Sequence, residues 1–128
     1  MSEQATIFGV GTVGIPVNDQ DRALDFYTGK LGFEKRMDAP LPRSGGRWIM
    51  VAPRGSQVTV ALEQAREGLA AGVETGVRFV TGDAEGLHRS MAAGGVEVGP
   101  LLRWPGFPTM FAFKDQDGNG LVVLEAGR

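Results

Sequence analysis

The chain offers few residues that could carry chemistry. It contains a single histidine, His88, and no cysteine. Disulfides, thiolate metal sites, a cysteine nucleophile and a two-histidine metal pair are therefore all excluded. His88 falls in a helical stretch, and the pattern predicts that it packs or faces solvent. Asp115-x-Asp117-x-Asn119-Gly120 matches the first half of a calcium-binding helix–loop–helix loop. The twelfth position of such a loop needs a bidentate glutamate; here it is Ala126, with Glu125 one place early. The flanks read as strands, so these residues predict a β-hairpin turn. Gly9-Val10-Gly11-Thr12-Val13-Gly14 matches G-x-G-x-x-G, but a dinucleotide site needs a helix directly after it. This segment instead runs into a strand containing Pro16, so nucleotide binding is not expected. Glu63, Glu97 and Glu125 are the spare acids, and the pattern puts Glu63 and Glu125 near strand ends.

Two further groups invite a binding role. Arg78 lies two residues after Gly76, and strand alternation puts both on one face. If that face lines a hollow, the guanidinium needs a protein carboxylate or an anionic ligand; otherwise it reaches solvent from a rim. Trp48, Trp104, Phe107, Met110 and Phe111 form an aromatic and sulfur-rich set that serves either as core or as a pocket wall. Trp104 and Phe107 sit between prolines on the segment 103–108. Such a loop predicts a lid or wall, because large aromatics are costly to expose.

The elements that must position these residues follow from periodicity and punctuation. A strand is expected over Thr12–Val17. A helix over Asp21–Leu31 follows, with Asn18 or Asp19 as cap and Gly32 as stop. Strands are expected at Phe33–Met37, Trp48–Ala52 and Val58–Leu62, with a loop over 38–46. Residues 64–75 read as a linker, with room for one helical turn. The pattern then returns: a strand at Val77–Thr81, a helix capped by Asp83, and strands at Val96–Val98, Met110–Phe113 and Leu121–Leu124. Asp19 and Asp83, Gly32 and Gly95, and Leu62 and Leu124 stand at nearly constant separation, close to half the chain. That is an internal repeat of one β-α-β-β-β unit.

Size and composition agree with one globular domain over 1–128: module one about 7–63, linker 64–75, module two about 76–126. The chain is 42% hydrophobic and 22% charged, with net charge −2. No basic run points to nucleic acid or an anionic membrane, and no apolar stretch approaches the ~20 residues of a bilayer span. No signal peptide is visible at Met1–Gln4, and with the absence of cysteine this predicts a cytoplasmic location.

Two segments carry a family resemblance. Val17-Asn18-Asp19, Ala23-Leu24-Asp25-Phe26-Tyr27 and Leu31-Gly32-Phe33 resemble the first-module signature of the vicinal oxygen chelate superfamily. Phe113-Lys114-Asp115-Gln116-Asp117-Gly118-Asn119 resembles its closing turn, with Gln116 where that turn carries proline. This superfamily includes glyoxalase I, extradiol dioxygenases, fosfomycin-resistance enzymes and bleomycin-binding proteins. The resemblance implies an α+β fold in which two βαβββ modules form a curved, mostly antiparallel sheet with helices on the outer face. It also implies a homodimer.

In metal-using members, His or Glu ligands on the first and last strands of each module hold a divalent metal on the concave side. Those positions map to Thr12, Gly76, Val122 and, through the repeat offset, Val60, with Thr59 or Ala61 as neighbours if the register slips. None is an acid or a histidine, so no metal and no other cofactor is expected. The function expected is binding of a small apolar or aromatic molecule in the concave sheet. Thr12, Gly14, Trp48, Val60, Arg78, Trp104, Phe107, Met110 and Val122 are its candidate ligand-binding residues. The alternative is a divergent lyase, isomerase or dioxygenase using a non-standard metal site. Whether any reaction is catalysed stays open at this point.

Overall fold

A computed structural model describes residues 5–42 and 46–127. Part of the expected loop at 38–46, and the segment Met1–Gln4, lie outside the described residues. The chain order is β1 (Thr12–Val17), α1 (Gln20–Asp25), a π-helical turn (Phe26–Lys30), β2 (Glu34–Pro40), β3 (Arg47–Ala52) and β4 (Thr59–Gln64). The second module repeats it: β5 (Glu74–Thr81), α2 (Ala84–Ala93), β6 (Glu97–Val98), β7 (Met110–Lys114) and β8 (Gly120–Glu125).

Each module folds into its own four-stranded mixed sheet, ordered β1-β4-β3-β2 and β5-β8-β7-β6. The first and last strands of each module run parallel, and the other pairings are antiparallel. The fold is α+β, with two βαβββ modules as expected. The hydrogen bonding closes as two sheets, so β1 and β5 are each an edge.

Local chemistry explains the element boundaries. The Asp19 carboxylate accepts from the backbone N–H groups of Asp21 (3.0 Å) and Arg22 (3.1 Å), satisfying orphan donors at the start of α1. Asp83 does the same for α2 through Gly86 N (2.9 Å), and Glu125 accepts from Ala84 N (3.0 Å). The helix expected over Asp21–Leu31 is regular only to Asp25 and then widens into the π-helical turn. The linker 64–75 contains no helix; Arg66 and Leu69 close a turn with two reciprocal backbone bonds (2.9 and 2.8 Å), and β5 already begins at Glu74.

Strand alternation separates the two faces of each sheet. In module one Ile15, Val17, Ile49, Val51, Val60 and Leu62 point to the helix side; in module two Phe111, Phe113, Leu121 and Val123 do so. They join one cluster with Ala23, Tyr27, Ala84, Met91 and Val96 from the helical segments and their ends. The modules meet on this side. Phe33 packs edge-on against Phe79 at 5.3 Å, and Phe79 stacks on Phe113 at 6.3 Å.

A polar lock lies within that junction. The Tyr27 hydroxyl donates to Asp115 Oδ2 at 2.8 Å. Asp115 Oδ1 accepts from Asp117 N and Asn119 N (2.9 and 3.0 Å). Asn119 is fully buried, and its Nδ2 donates to Pro16 O (2.8 Å) and Asp115 Oδ2 (2.9 Å). Its Oδ1 accepts from Gly72 N (2.8 Å) and Val73 N (3.1 Å). Asp117 accepts from Asn18 N at 2.9 Å. Burial is tolerable for these polar atoms because each has a partner. The segment that resembled a calcium loop is therefore the β7–β8 turn, with the side-chain oxygens of Asp115, Asp117 and Asn119 engaged by protein donors.

Candidate functional site

The helix-distal faces of the two sheets are open. On β1, Thr12 and Gly14 are exposed while Ile15 and Val17 are fully buried. Thr12 pairs with Thr59 and Gly14 with Ala61, so these four share the helix-distal face of module one, where Thr59 and Ala61 are buried. Val60 belongs to the opposite parity. Its side chain sits in the core cluster, so Ala61 rather than Val60 shares the parity of Thr12 and Gly14, and Ala61 is itself buried. In module two Arg78 pairs with Val122, Val122 with Ala112, and Met110 with Leu124, which puts Arg78, Val122 and Met110 on one open face.

A cavity of about 710 Å³ lies where the β1 edge, the β3–β4 turn and β5 come together. Gly14, Val60, Arg78 and Gly76 are among its walls; so are Arg54 and Ser56 of the turn, which the sequence did not single out. Apolar surface comes from Val13, Val58, Val77, Phe79 and Val80, and among the described residues no acid lines it. Val80 is 70% exposed on β5, and no strand covers that edge.

The backbone of β5 is irregular here. The ladder with β8 shifts register between Glu74 and Arg78, and Gly76 sits in the left-handed region at φ 73°. A side chain at Gly76 would meet no atom within 4 Å. Glycine is needed there for its backbone freedom rather than for space. The bulge is closed by Val77 N donating to Thr75 Oγ1 (3.1 Å) and by Arg78 Nη1 donating to Gly76 O (2.9 Å).

The other expected site residues are placed elsewhere. Trp48 lines a second cavity, about 420 Å³, with Glu63, Arg47 and Arg66. Arg47 is already engaged by Asp38 (two bonds of 3.0 Å) and Asp21 (2.7 Å), and its hydrogen bonds hold the Asp38 carboxyl below the usual carboxylate range. Trp104 and Phe107 meet edge-to-face at 6.2 Å on the loop between β6 and β7, 54% and 64% exposed. That loop is pinned by reciprocal Leu102–Met110 backbone bonds and by Arg103–Glu85 at 2.6 Å, and neither ring is among the walls of the larger cavity. His88 Nε2 donates to Gly99 O at 2.7 Å, and its ring packs on Phe111, one of the two roles expected of it. Because a carbonyl only accepts, the nitrogen carries the proton.

The metal positions of the family can be tested on donor chemistry. Thr12, Gly76, Ala61 and Val122 supply at most one neutral hydroxyl, and that hydroxyl donates to Thr59 O at 3.2 Å. The left-handed backbone at Gly76 also disfavours any ligating side chain. The spare acids do not converge: Glu125 caps α2, Glu97 lies 3.9 Å from Lys114, and the Glu63 carboxylate lies over Gly14. Among the described residues no group of three or more His, Asp or Glu side chains could hold an ion. These residues do not fit the family's metal. No described helix is long and apolar enough to cross a membrane.

The chain belongs to the Glyoxalase/Bleomycin resistance protein/Dioxygenase superfamily, whose sequence profile matches residues 9–123. It is 30% identical to the uncharacterized protein YetH of Bacillus subtilis (strain 168), across 91% of this chain and 97% of that protein. Among solved structures it is similar to TnmS3, an antibiotic binding protein from Streptomyces sp. CB03234 (TM-score 0.86, 28% identity, 97% of this chain and 100% of that one). It is equally similar to a superfamily member from Sphaerobacter thermophilus DSM 20745 (TM-score 0.86, 34% identity, 94% of this chain and 98% of that one).

Proposed function

We propose that this protein binds a small apolar or aromatic molecule, without a metal, in the cavity at the β1 and β5 edges of the two sheets. The observation that carries this reading is the cavity of about 710 Å³, walled by valines and Phe79 and, among the described residues, by no acid. Its size lies within the ~300–1,000 Å³ of ordinary small-molecule sites. Gly14, Val60 and Arg78 form part of the wall, and Val122 and Met110 extend the Arg78 face. The likeness to TnmS3, an antibiotic binding protein, supports binding rather than turnover. A homodimer and a cytoplasmic location accompany this reading. The exposed apolar side chains Ile7, Phe8 and Val10 beside β1 offer surface that a second copy would cover.

The test is native mass spectrometry and elemental analysis of protein purified without added ligand. A retained organic molecule and less than one equivalent of nickel, zinc, iron or manganese are expected. A stoichiometric metal overturns the proposal, especially with the roughly 2.7 kcal/mol of stabilisation that a metal at 100 times its Kd supplies.

A further inference from the structure

We propose that Arg54 and Arg78, one from each module, make this cavity selective for apolar organic acids, with the two guanidinium groups receiving the carboxylate. The proposal rests on the binding function above and deepens it. Arg54 sits on the β3–β4 turn and Arg78 on β5, and both line the same cavity. Neither forms an ion pair among the described residues, although six such pairs occur elsewhere. The whole chain has net charge −2, yet among the described residues this cavity is lined by two arginines and no acid. The local sign of charge is therefore opposite to that of the molecule.

The remaining polar side chains of the wall are not free to serve an anion. Ser56 donates its hydroxyl proton to Val58 O (2.7 Å) and Thr75 to Gly120 O (2.7 Å). Thr59 Oγ1 lies 3.4 Å from Gly11 O and 3.3 Å from Met50 Sδ, and can donate to either. The guanidinium groups are thus the donors left over. Arg78 spends one of its five N–H donors on Gly76 O, a bond that holds its planar group against the β5 bulge and leaves the others available. An arginine fork matches a carboxylate in geometry as well as charge. Beside it the valines and Phe79 accept a flat hydrocarbon body.

The experiment is calorimetric titration of the full-length protein with benzoate, 2-naphthoate and indole-3-acetate, each paired with its neutral amide. Arg54→Gln, Arg78→Gln and, as a control on the exposed face of α2, Arg89→Gln are titrated alongside. At least one acid is expected to bind, and about tenfold or more tighter than its amide, the preference expected of a hydrogen bond to a charged group. Arg54→Gln and Arg78→Gln should each lose about tenfold for the acid and little for the amide, and Arg89→Gln should lose nothing. If acid and amide bind equally, the acid selectivity is wrong while the pocket stands. If the acid preference survives both cavity variants, these arginines are not its source. If no acid and no amide binds at millimolar concentration, the pocket itself is misassigned and this inference falls with it.

Discussion

Tyr27→Phe removes one oxygen atom from the junction between the modules, and its consequence can be worked out from the structure. Tyr27 is the only tyrosine of the chain and is fully buried. Its hydroxyl donates to Asp115 Oδ2, which keeps one further donor, Asn119 Nδ2. The variant keeps the ring packing on Phe26 and Phe33 and leaves a buried carboxylate one donor short. A hydrogen bond to a charged group contributes about 1.5–3 kcal/mol, so a loss of about 2 kcal/mol is expected at neutral pH. Against a total stability of about 5–15 kcal/mol this is readily measured by urea unfolding.

The same residue sets an alkaline limit. Burial, then the charge of Asp115 and the hydrogen bond to it, push the Tyr27 hydroxyl above its ordinary value. A group whose folded value is raised contributes stability that is intact below its unfolded value near 10, then lost as the unfolded chain releases its proton. Wild-type stability should therefore fall by up to about 1.4 kcal/mol per pH unit above pH ~10, relative to Tyr27→Phe, whose profile lacks this contribution. Tyrosinate absorbance in the wild type should rise only with unfolding. A tyrosinate signal that titrates near pH ~10 while circular dichroism stays native, or a variant as stable as wild type at neutral pH, refutes the reasoning.

Three further outcomes follow from neighbouring geometry. Asn119→Ala deletes four buried hydrogen bonds, each contributing about 1 kcal/mol net, so thermal and urea unfolding should show a loss of about 4 kcal/mol; less than about 1 kcal/mol means that water replaces the amide. Gly76→Ala should cost about 1–2 kcal/mol through left-handed strain alone, since no atom obstructs the new methyl group; an unchanged urea midpoint means that the bulge relaxes. Trp104→Ala should change stability by less than about 0.5 kcal/mol and leave affinity for the aromatic acids intact, because its loop stands apart from the cavity wall. A tenfold loss of affinity in that variant puts the loop over the ligand instead.

Much of the fold was legible along the chain because its signals are local. Asp19 and Asp83 announce helix starts by capping nearby N–H groups, and alternation along β7 separates buried from open positions without reference to any partner strand. The repeat was visible because both modules solve the same packing problem with the same order of elements. The π-helical turn at Phe26–Lys30 was not, because a helical stripe in sequence does not distinguish the regular from the widened ladder.

Amino-acid identity alone decided what this protein lacks. One histidine and no cysteine, with threonine, glycine and valines at the family's ligand positions, limit the chemistry whatever the fold does in detail. Strand pairing decided the rest. A one-residue difference in register between the two modules moves Val60 to the core side and gives Ala61 the parity of Gly14, since side chains alternate with a period of two. Arg54 was invisible as a site residue because it lies on an ordinary turn, distant in sequence from Arg78. Only the folding of two modules against one another brings both arginines to a single cavity that no described acid lines. Composition is a property of the chain, whereas the charge of a pocket depends on which residues packing gathers there.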